Sequence, residues 1–191
     1  MDYLYYEVPS IERKEDAIEY IKEHQAYNSN IKGSGGLDRY VNNYEEWLEH
    51  LANSKKPTPD RVPALTYFLV REQDKKIIDM VNIRLYLNER LERKGGHIGY
   101  GIRPTERRKG YNKINLYRTL EVCEEQGIEE VVLDCNKDNL ASSHTMLALG
   151  GVKQYEKVID DELIERYKIN VSPSVKKYKD IYGSKISSKS I

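Results

Sequence analysis

Apolar residues recur at two periods along the chain, and the change of period divides it. In the first third the spacing is three or four residues, the signature of helices with one buried face. Ala17, Ile18 and Ile21 mark a helix over residues 11–27, with Ser10 the expected cap, its hydroxyl accepting from a first-turn amide. Leu37, Tyr40, Val41, Tyr44, Trp47, Leu48 and Leu51 mark a second helix as one continuous stripe. The loop Lys32-Gly33-Ser34-Gly35-Gly36 separates the two, and Lys55-Lys56-Pro57-Thr58-Pro59-Asp60 ends helix.

From Val62 the period falls to two. Residues 64–71 and 77–87 read as strands of an antiparallel hairpin turning at Gln73-Asp74-Lys75-Lys76. A charged loop ends at Gly95-Gly96, and residues 97–103 form a short strand that Pro104 stops. Strand and helix then alternate: helix over 113–126, strand over 130–136, helix over 140–149 with Asp138 or Asn139 as cap, and a closing hairpin of 152–160 with 162–170 at Asp160-Asp161. The strand–helix–strand unit over 97–136 is expected to be parallel and right-handed. Residues 172–191, with five lysines and one aspartate, read as a loose basic tail. The result is an α/β (α+β) fold: a mixed, mostly antiparallel sheet with helices on both faces.

Composition narrows the function without naming it. With 191 residues the chain suits a single domain, read here as residues 1–171 with a helical part over 1–60 and a core over 62–171. Its 31 basic and 31 acidic residues leave no global field to draw in nucleic acid. No apolar run approaches the roughly 18 residues of a membrane span, and the start, Met-Asp-Tyr-Leu-Tyr-Tyr-Glu, does not resemble a secretion signal. Cys123 and Cys135 are neither spaced for a metal nor numerous enough for a disulfide framework, which points to a reduced, cytoplasmic setting. Sixteen tyrosines against one Phe and one Trp require a core whose rings also need hydroxyl partners.

The stretch from His97 to Asn112 carries the candidate chemistry. A strand and a proline lead to Arg107-Arg108-Lys109-Gly110-Tyr111-Asn112, which opens a helix. A helix start presents amides without backbone partners and the positive end of its dipole. Gly110 lets the backbone approach a bulky anion, and three cations add charge. Such a cradle suits a pyrophosphate; a solvated charge run before an ordinary helix is the other meaning of the same six residues.

Arg107-x-x-Gly110-x-Asn112 between strand and helix resembles the acyl-CoA signature of the GNAT (Gcn5-related N-acetyltransferase) superfamily, Gln/Arg-x-x-Gly-x-Gly/Ala. Val62-Pro63-Ala64-Leu65-Thr66-Tyr67-Phe68, Asn82-Ile83-Arg84, Gly95-Gly96-His97-Ile98-Gly99-Tyr100, Ile102-Arg103-Pro104, Glu106-Arg107-Arg108-Lys109-Gly110-Tyr111 and Asp138-Asn139-x-Ala141-Ser142 are similar to a bacterial group of predicted acetyltransferases within it. The resemblance spans about residues 37–170. It implies a central parallel strand pair that splays to admit the pantetheine arm of acetyl-CoA. It implies that the Tyr100 amide meets the thioester carbonyl and that Ile102 pairs with pantetheine. It places the pyrophosphate at Arg107, Arg108, Lys109, Gly110, Tyr111 and Asn112, and Asn139 near the pantetheine; Asn139 as a plain helix cap is compatible with that role.

Three departures stand out. Asn112 replaces a small residue, and either crowds the pyrophosphate or donates to it. Met146 occupies the place where many members carry a proton-donating tyrosine. Asp79 and Leu85 replace Gly and His expected in the closer group. No general base stands out: His97 titrates in the right range, but lies one position from where some members carry a strand glutamate. Glu89 and Glu92 read as solvated, Cys135 as a core or rim thiol, His144 as exposed, and Tyr40, Tyr44 and Trp47 as core. The resemblance implies an acetyl-CoA-dependent N-acetyltransferase acting on a small amine or a peptide or protein amine, without metal, nucleic acid or membrane, and with a homodimer among its common assemblies. A GNAT-fold acyl-CoA binder with little activity, a sensor or partner subunit, is the alternative.

Overall fold

The computed structural model describes residues 2–187. Among them two antiparallel sheets lie side by side. The first has the order β1-β2-β3-β4, with β1 at Leu4–Glu7, β2 at Ala64–Arg71, β3 at Ile77–Arg84 and β4 at Ile98–Tyr100. The second has the order β5-β7-β6, from Glu130–Asn136 (β5), Val152–Ile159 (β6) and Glu162–Asn170 (β7). Helices α1 (Lys14–Ala26) and α2 (Tyr44–Ser54) cover one face of the first sheet; α4 (Tyr111–Glu125), α5 (Leu140–Ala148) and α6 (Val171–Tyr182) pack on the other side. A short helix, α3, spans Glu89–Arg93.

The strand period sorts the two faces. On β2 and β3, Phe68, Val70, Ile77 and Met80 join Ala17, Tyr20, Ile21, Tyr44 and Trp47 in one cluster. Leu69, Ile78, Val81 and Ile83 face Ile114, Tyr117 and Leu120 of α4 in the other. Tyr44 and Trp47 are core as expected, Tyr40 is half-buried against them, and the Trp47 indole donates to Ser34 O at 3.1 Å.

Several elements differ from the sequence reading. The second helix begins at Tyr44, because Leu37–Arg39 forms a separate 3-10 turn and Asn43 leaves helical geometry (φ −143°, ψ 67°). The apolar stripe records which residues face inward, and a turn followed by a helix preserves that facing. Ser10 does not cap with its side chain; a 3-10 turn at Ile11–Arg13 leads into α1 instead. The strand β1 was not expected. Nor was α6: the segment read as a loose tail folds back onto α4, where the Tyr182 ring lies 6.1 Å from that of Tyr117 and Ser174 Oγ donates to Leu149 O at 2.6 Å. Val171, Ser174, Val175, Tyr178 and Tyr182 share one face at helical spacing, which the lysines between them mask. The last residues of the expected tail lie outside the described residues.

No parallel ladder joins β4 to β5 among the described residues. They meet through one isolated bridge of antiparallel type, Gly96 with Leu133, and through His97 N, which donates to Val132 O at 2.7 Å. Beyond that contact the two sheets part.

Candidate active site

The turn before α4 is held from below. Glu106, almost fully buried, accepts from Arg71 (2.8 Å), Lys76 (2.9 Å) and Lys109 (2.8 Å). Burial alone would raise its pKa; the three cations overcome that and hold the carboxyl at about 2. Above this anchor the chain turns at Arg108 (φ 64°) and Gly110 (φ 83°), and α4 begins. Gly110 is its N-cap and offers no side chain to the first-turn amides, and no acidic residue occupies that turn. A Cβ on Gly110 would find nothing within 4 Å, so the space over these amides is open. A 15-residue helix thus points its partial positive end and unpaired N–H groups into a cleft.

That cleft is a cavity of about 680 Å³ running from the turn to the parting of the sheets. Arg107, Arg108, Gly110 and Asn112 line one end; Tyr100, Gly101 and Ile102 line one wall, with Asn136, Asn139 and Ser142 opposite. The register sets the direction of the β4 backbone. Arg84 N donates to His97 O, flanking the pair Ile83–Ile98, so Val81–Tyr100, two residues on, is also a non-hydrogen-bonded pair. The N–H and C=O of Tyr100 therefore face away from β3, toward the gap. Next to it, Gly101 N donates to the buried carboxyl of Asp79 at 2.7 Å, whose other oxygen accepts from Asn115 Nδ2 at 2.6 Å. Burial without a cationic neighbour in hydrogen-bond contact pushes Asp79 up to about 8. Asp79 thus takes the first amide past β4, and two residues on Arg103 N donates to Ile78 O of β3 at 2.9 Å.

A family model of the acetyltransferase (GNAT) domain matches residues 9–152, most of the chain. The chain belongs to the GNAT acetyltransferase family. Solved structures share the fold. The ribosomal-protein-S5-alanine acetyltransferase from Vibrio fischeri is 14% identical over 90% of this chain and 95% of that one, with a TM-score of 0.64. The spermidine/spermine N-acetyltransferase SpeG from Vibrio cholerae is 14% identical over 91% and 97%, TM-score 0.62. The microcin C7 self immunity acetyltransferase MccE, solved with acetyl-CoA and AMP, is 17% identical over 90% and 94%, TM-score 0.64. At such identities the likeness is one of fold. No curated protein matches the sequence.

Within this GNAT domain the expected residues separate into three groups. The backbone of Arg108, Gly110 and Asn112 and the segment Tyr100–Ile102 do come together on one cavity. Three side chains of the turn have partners within the chain. Lys109 is spent on Glu106. Arg107 donates to Ile102 O at 3.1 Å and to Ser29 Oγ at 2.5 Å, bracing the loop against α1's exit. The Tyr111 side chain is buried on the far side, donating to Asp2 and accepting from Arg71 at 3.0 Å. Among the described residues Arg108 is the one cation of the three without a carboxylate or hydrogen-bond partner. Asn112 turns onto α5, its Nδ2 donating to Thr145 Oγ1 at 3.1 Å while its buried Oδ1 has no partner. Asn139 is the cap of α5, its Oδ1 accepting from Ser142 N at 3.2 Å, and it also lines the cavity.

His97 sits at the junction of the two sheets. Its Nδ1 accepts from Val132 N at 3.0 Å, burial lowers its pKa, and it does not line the cavity. Glu89 and Glu92 lie in α3, away from the gap, and His144 is exposed on α5. Cys135 is buried and its thiol is pushed up to about 11, chiefly by burial. Met146 is buried and carries no proton to give. The sequence reading missed a group that does: the Tyr100 hydroxyl lies 2.9 Å from Ser142 Oγ on the cavity wall. Burial raises its pKa well above the ordinary phenol value, so it is protonated at neutral pH. Alternation along β4 leaves its side chain on a face while its amide lies in the sheet plane, which lets one residue present both groups.

Proposed function

We propose that this chain is an acetyl-CoA-dependent N-acetyltransferase that moves an acetyl group to a primary amine by direct attack. The observation that carries the reading is the open αL turn at Gly110, whose helix amides look into a cavity that continues to the exposed Tyr100 backbone. The residues present fit the coenzyme: unpaired amides and Arg108 for a diphosphate, and a parted strand edge for an amide-rich arm. Acetyl-CoA supplies the acyl group as a thioester.

The chain's own contribution is positional and electrostatic. The Tyr100 amide, fixed by the β3–β4 register, offers a donor in place for the oxyanion that develops on the carbonyl. The amine nitrogen bonds to the carbonyl carbon as the C–S bond breaks, and the electron pair leaves with sulfur. A thiolate of pKa about 8.5 is an acceptable leaving group; the Tyr100 phenol, held by Ser142, passes a proton to sulfur and is reprotonated, through water in the cleft, by the proton that the nitrogen sheds on becoming an amide. Asp79 fixes the Gly101 amide and so the end of β4.

Release of free thiol from acetyl-CoA across a panel of primary amines tests the reading. Tyr100→Phe, which keeps the backbone amide, is expected to lower kcat by about 10²-fold or more, as for loss of a general acid, with little change in coenzyme affinity. Stabilisation by acetyl-CoA without thiol release on any amine would make the chain an acyl-CoA binder instead.

A further inference from the structure

A second cavity, of about 480 Å³, opens on the α1–α2 side of the sheet. Five cations line it: Lys32, Arg39, Arg61, Arg84 and Arg90. Against them stand Asp38 and Asp60. In a chain of equal basic and acidic counts, most half-buried cations find a carboxylate; Arg61 and Arg84, half-buried here, do not, and Lys32, Arg39 and Arg90 stand exposed around them. Among the described residues none forms an ion pair. Arg84 donates to a carbonyl, Gly96 O at 3.3 Å, and Arg61 approaches His50 Nδ1 at 3.5 Å while its own Nε is buried without a partner. Burial, and then Arg90, lowers the pKa of Arg84; burial, Arg61 and Arg39 lower that of His50. Like charges collected in a cleft are costly unless a counter-charge arrives.

The cavity adjoins the proposed reaction point. Arg84 Nη2 lies 3.6 Å from where a Cβ on Gly99 would stand, one residue before Tyr100, and the Gly33 amide lies 3.3 Å from that same position. Lys32 lines both this cavity and the one beside Gly110. Lys32 therefore stands where the two clefts meet.

Resting on the transferase reading, we propose that the acceptor is a small amine carrying an anionic group, a carboxylate or a phosphate, held by Arg84 and its neighbouring cations with its nitrogen directed at the Tyr100 position. The volume suits a small molecule rather than a folded partner. The same field answers the missing general base: surrounding positive charge disfavours the ammonium form, so the amine is delivered with a larger neutral fraction. It also disfavours polyamines, whose several charges would be repelled.

The test is calorimetric titration of the full chain, with and without coenzyme A, using each protein amino acid, 2-aminoethyl phosphate, spermidine and butylamine, followed by thiol release with acetyl-CoA. At least one anionic amine is expected to bind and to be the preferred acceptor, and which arm binds distinguishes carboxylate from phosphate. Arg84→Met is expected to weaken binding about 10–100-fold, the worth of one charge-assisted contact. Should that variant misfold, Arg39→Gln, at an exposed rim position, is expected to act in the same direction by several-fold. Tighter binding of spermidine or butylamine than of every anionic amine, no heat with any anionic amine, or unchanged affinity in both variants would overturn the proposal. Stabilisation by acetyl-CoA in the same samples reports on the transferase reading alone; its loss would remove that reading, while the anion heats would still decide whether this cavity binds an anion.

Discussion

Gly110→Val separates the two meanings of the basic turn. Gly110 sits at φ 83° with open space where a side chain would project. The variant therefore meets no clash within the chain, and its intrinsic cost is the left-handed strain of an L residue, about 1–2 kcal/mol. Gly127, beyond the other end of α4, provides the control: φ 75° and again nothing within 4 Å. Gly127→Val should cost the same and touch no ligand. At this size about 2–4 °C of melting temperature accompanies each kcal/mol, so both variants should melt about 2–8 °C lower. Acetyl-CoA at 100 times its Kd should stabilise the parent by about 2.7 kcal/mol, or about 5–11 °C. Differential scanning calorimetry with and without acetyl-CoA reads both quantities. Gly127→Val should keep the full ligand shift; Gly110→Val should lose most of it, since its side chain fills the space over the first-turn amides. A full shift retained in Gly110→Val, or an equal loss in both, would refute the cradle.

Three further outcomes follow from the geometry. Glu106 is held near 2 against about 4.3 unfolded, so its contribution is present above the unfolded value and is lost as pH falls from about 4 to 2; Glu106→Gln should flatten that acid limb in urea titrations and destabilise the neutral protein by about 3 kcal/mol, having left Arg71 with Asp74 alone and Lys76 and Lys109 without an ion pair. Asp79, raised to about 8, binds its proton more tightly folded than unfolded, so stability should decline as pH rises from about 4 to 8; Asp79→Asn should remove that slope, and an unchanged slope would assign it elsewhere. Truncation after Asn170 should lower the melting temperature sharply, because α6 buries Val171 and half-buries Val175, Tyr178 and Tyr182, at about 1.5–3 kcal/mol for each fully buried side chain; a shortened chain melting with the parent would restore the loose-tail picture.

What could be read in advance was local. Strand, proline, basic turn, Gly110 and helix follow one another along the chain, and their geometry depends on neighbours in sequence. The hairpin at Asp160 and Asp161, both at positive φ, was legible for the same reason. What the cations of the turn do was not legible, because Lys109 answers to a buried Glu106 that also binds Arg71 and Lys76, and Arg107 answers to Ser29. His97 looked like chemistry because imidazole titrates near neutrality; its partner is a backbone amide on β5. The Tyr100 phenol was overlooked because only its amide was weighed. The anion-seeking cavity assembles from the 32–39 loop, residue 61, β3 and α3, whose convergence no short window displays. The tail was misjudged by composition: lysines on one face hid an aromatic stripe on the other.

The outer edge of β1 is closed by residues from the opposite end of the described chain. Leu4 bridges to Ile186, and Ser187 N donates to Leu4 O at 2.8 Å. During synthesis, then, the earliest strand waits with one side unzipped until residue 187 clears the ribosome. An insertion at Leu4 or at Ile186 would open the same seam from either side.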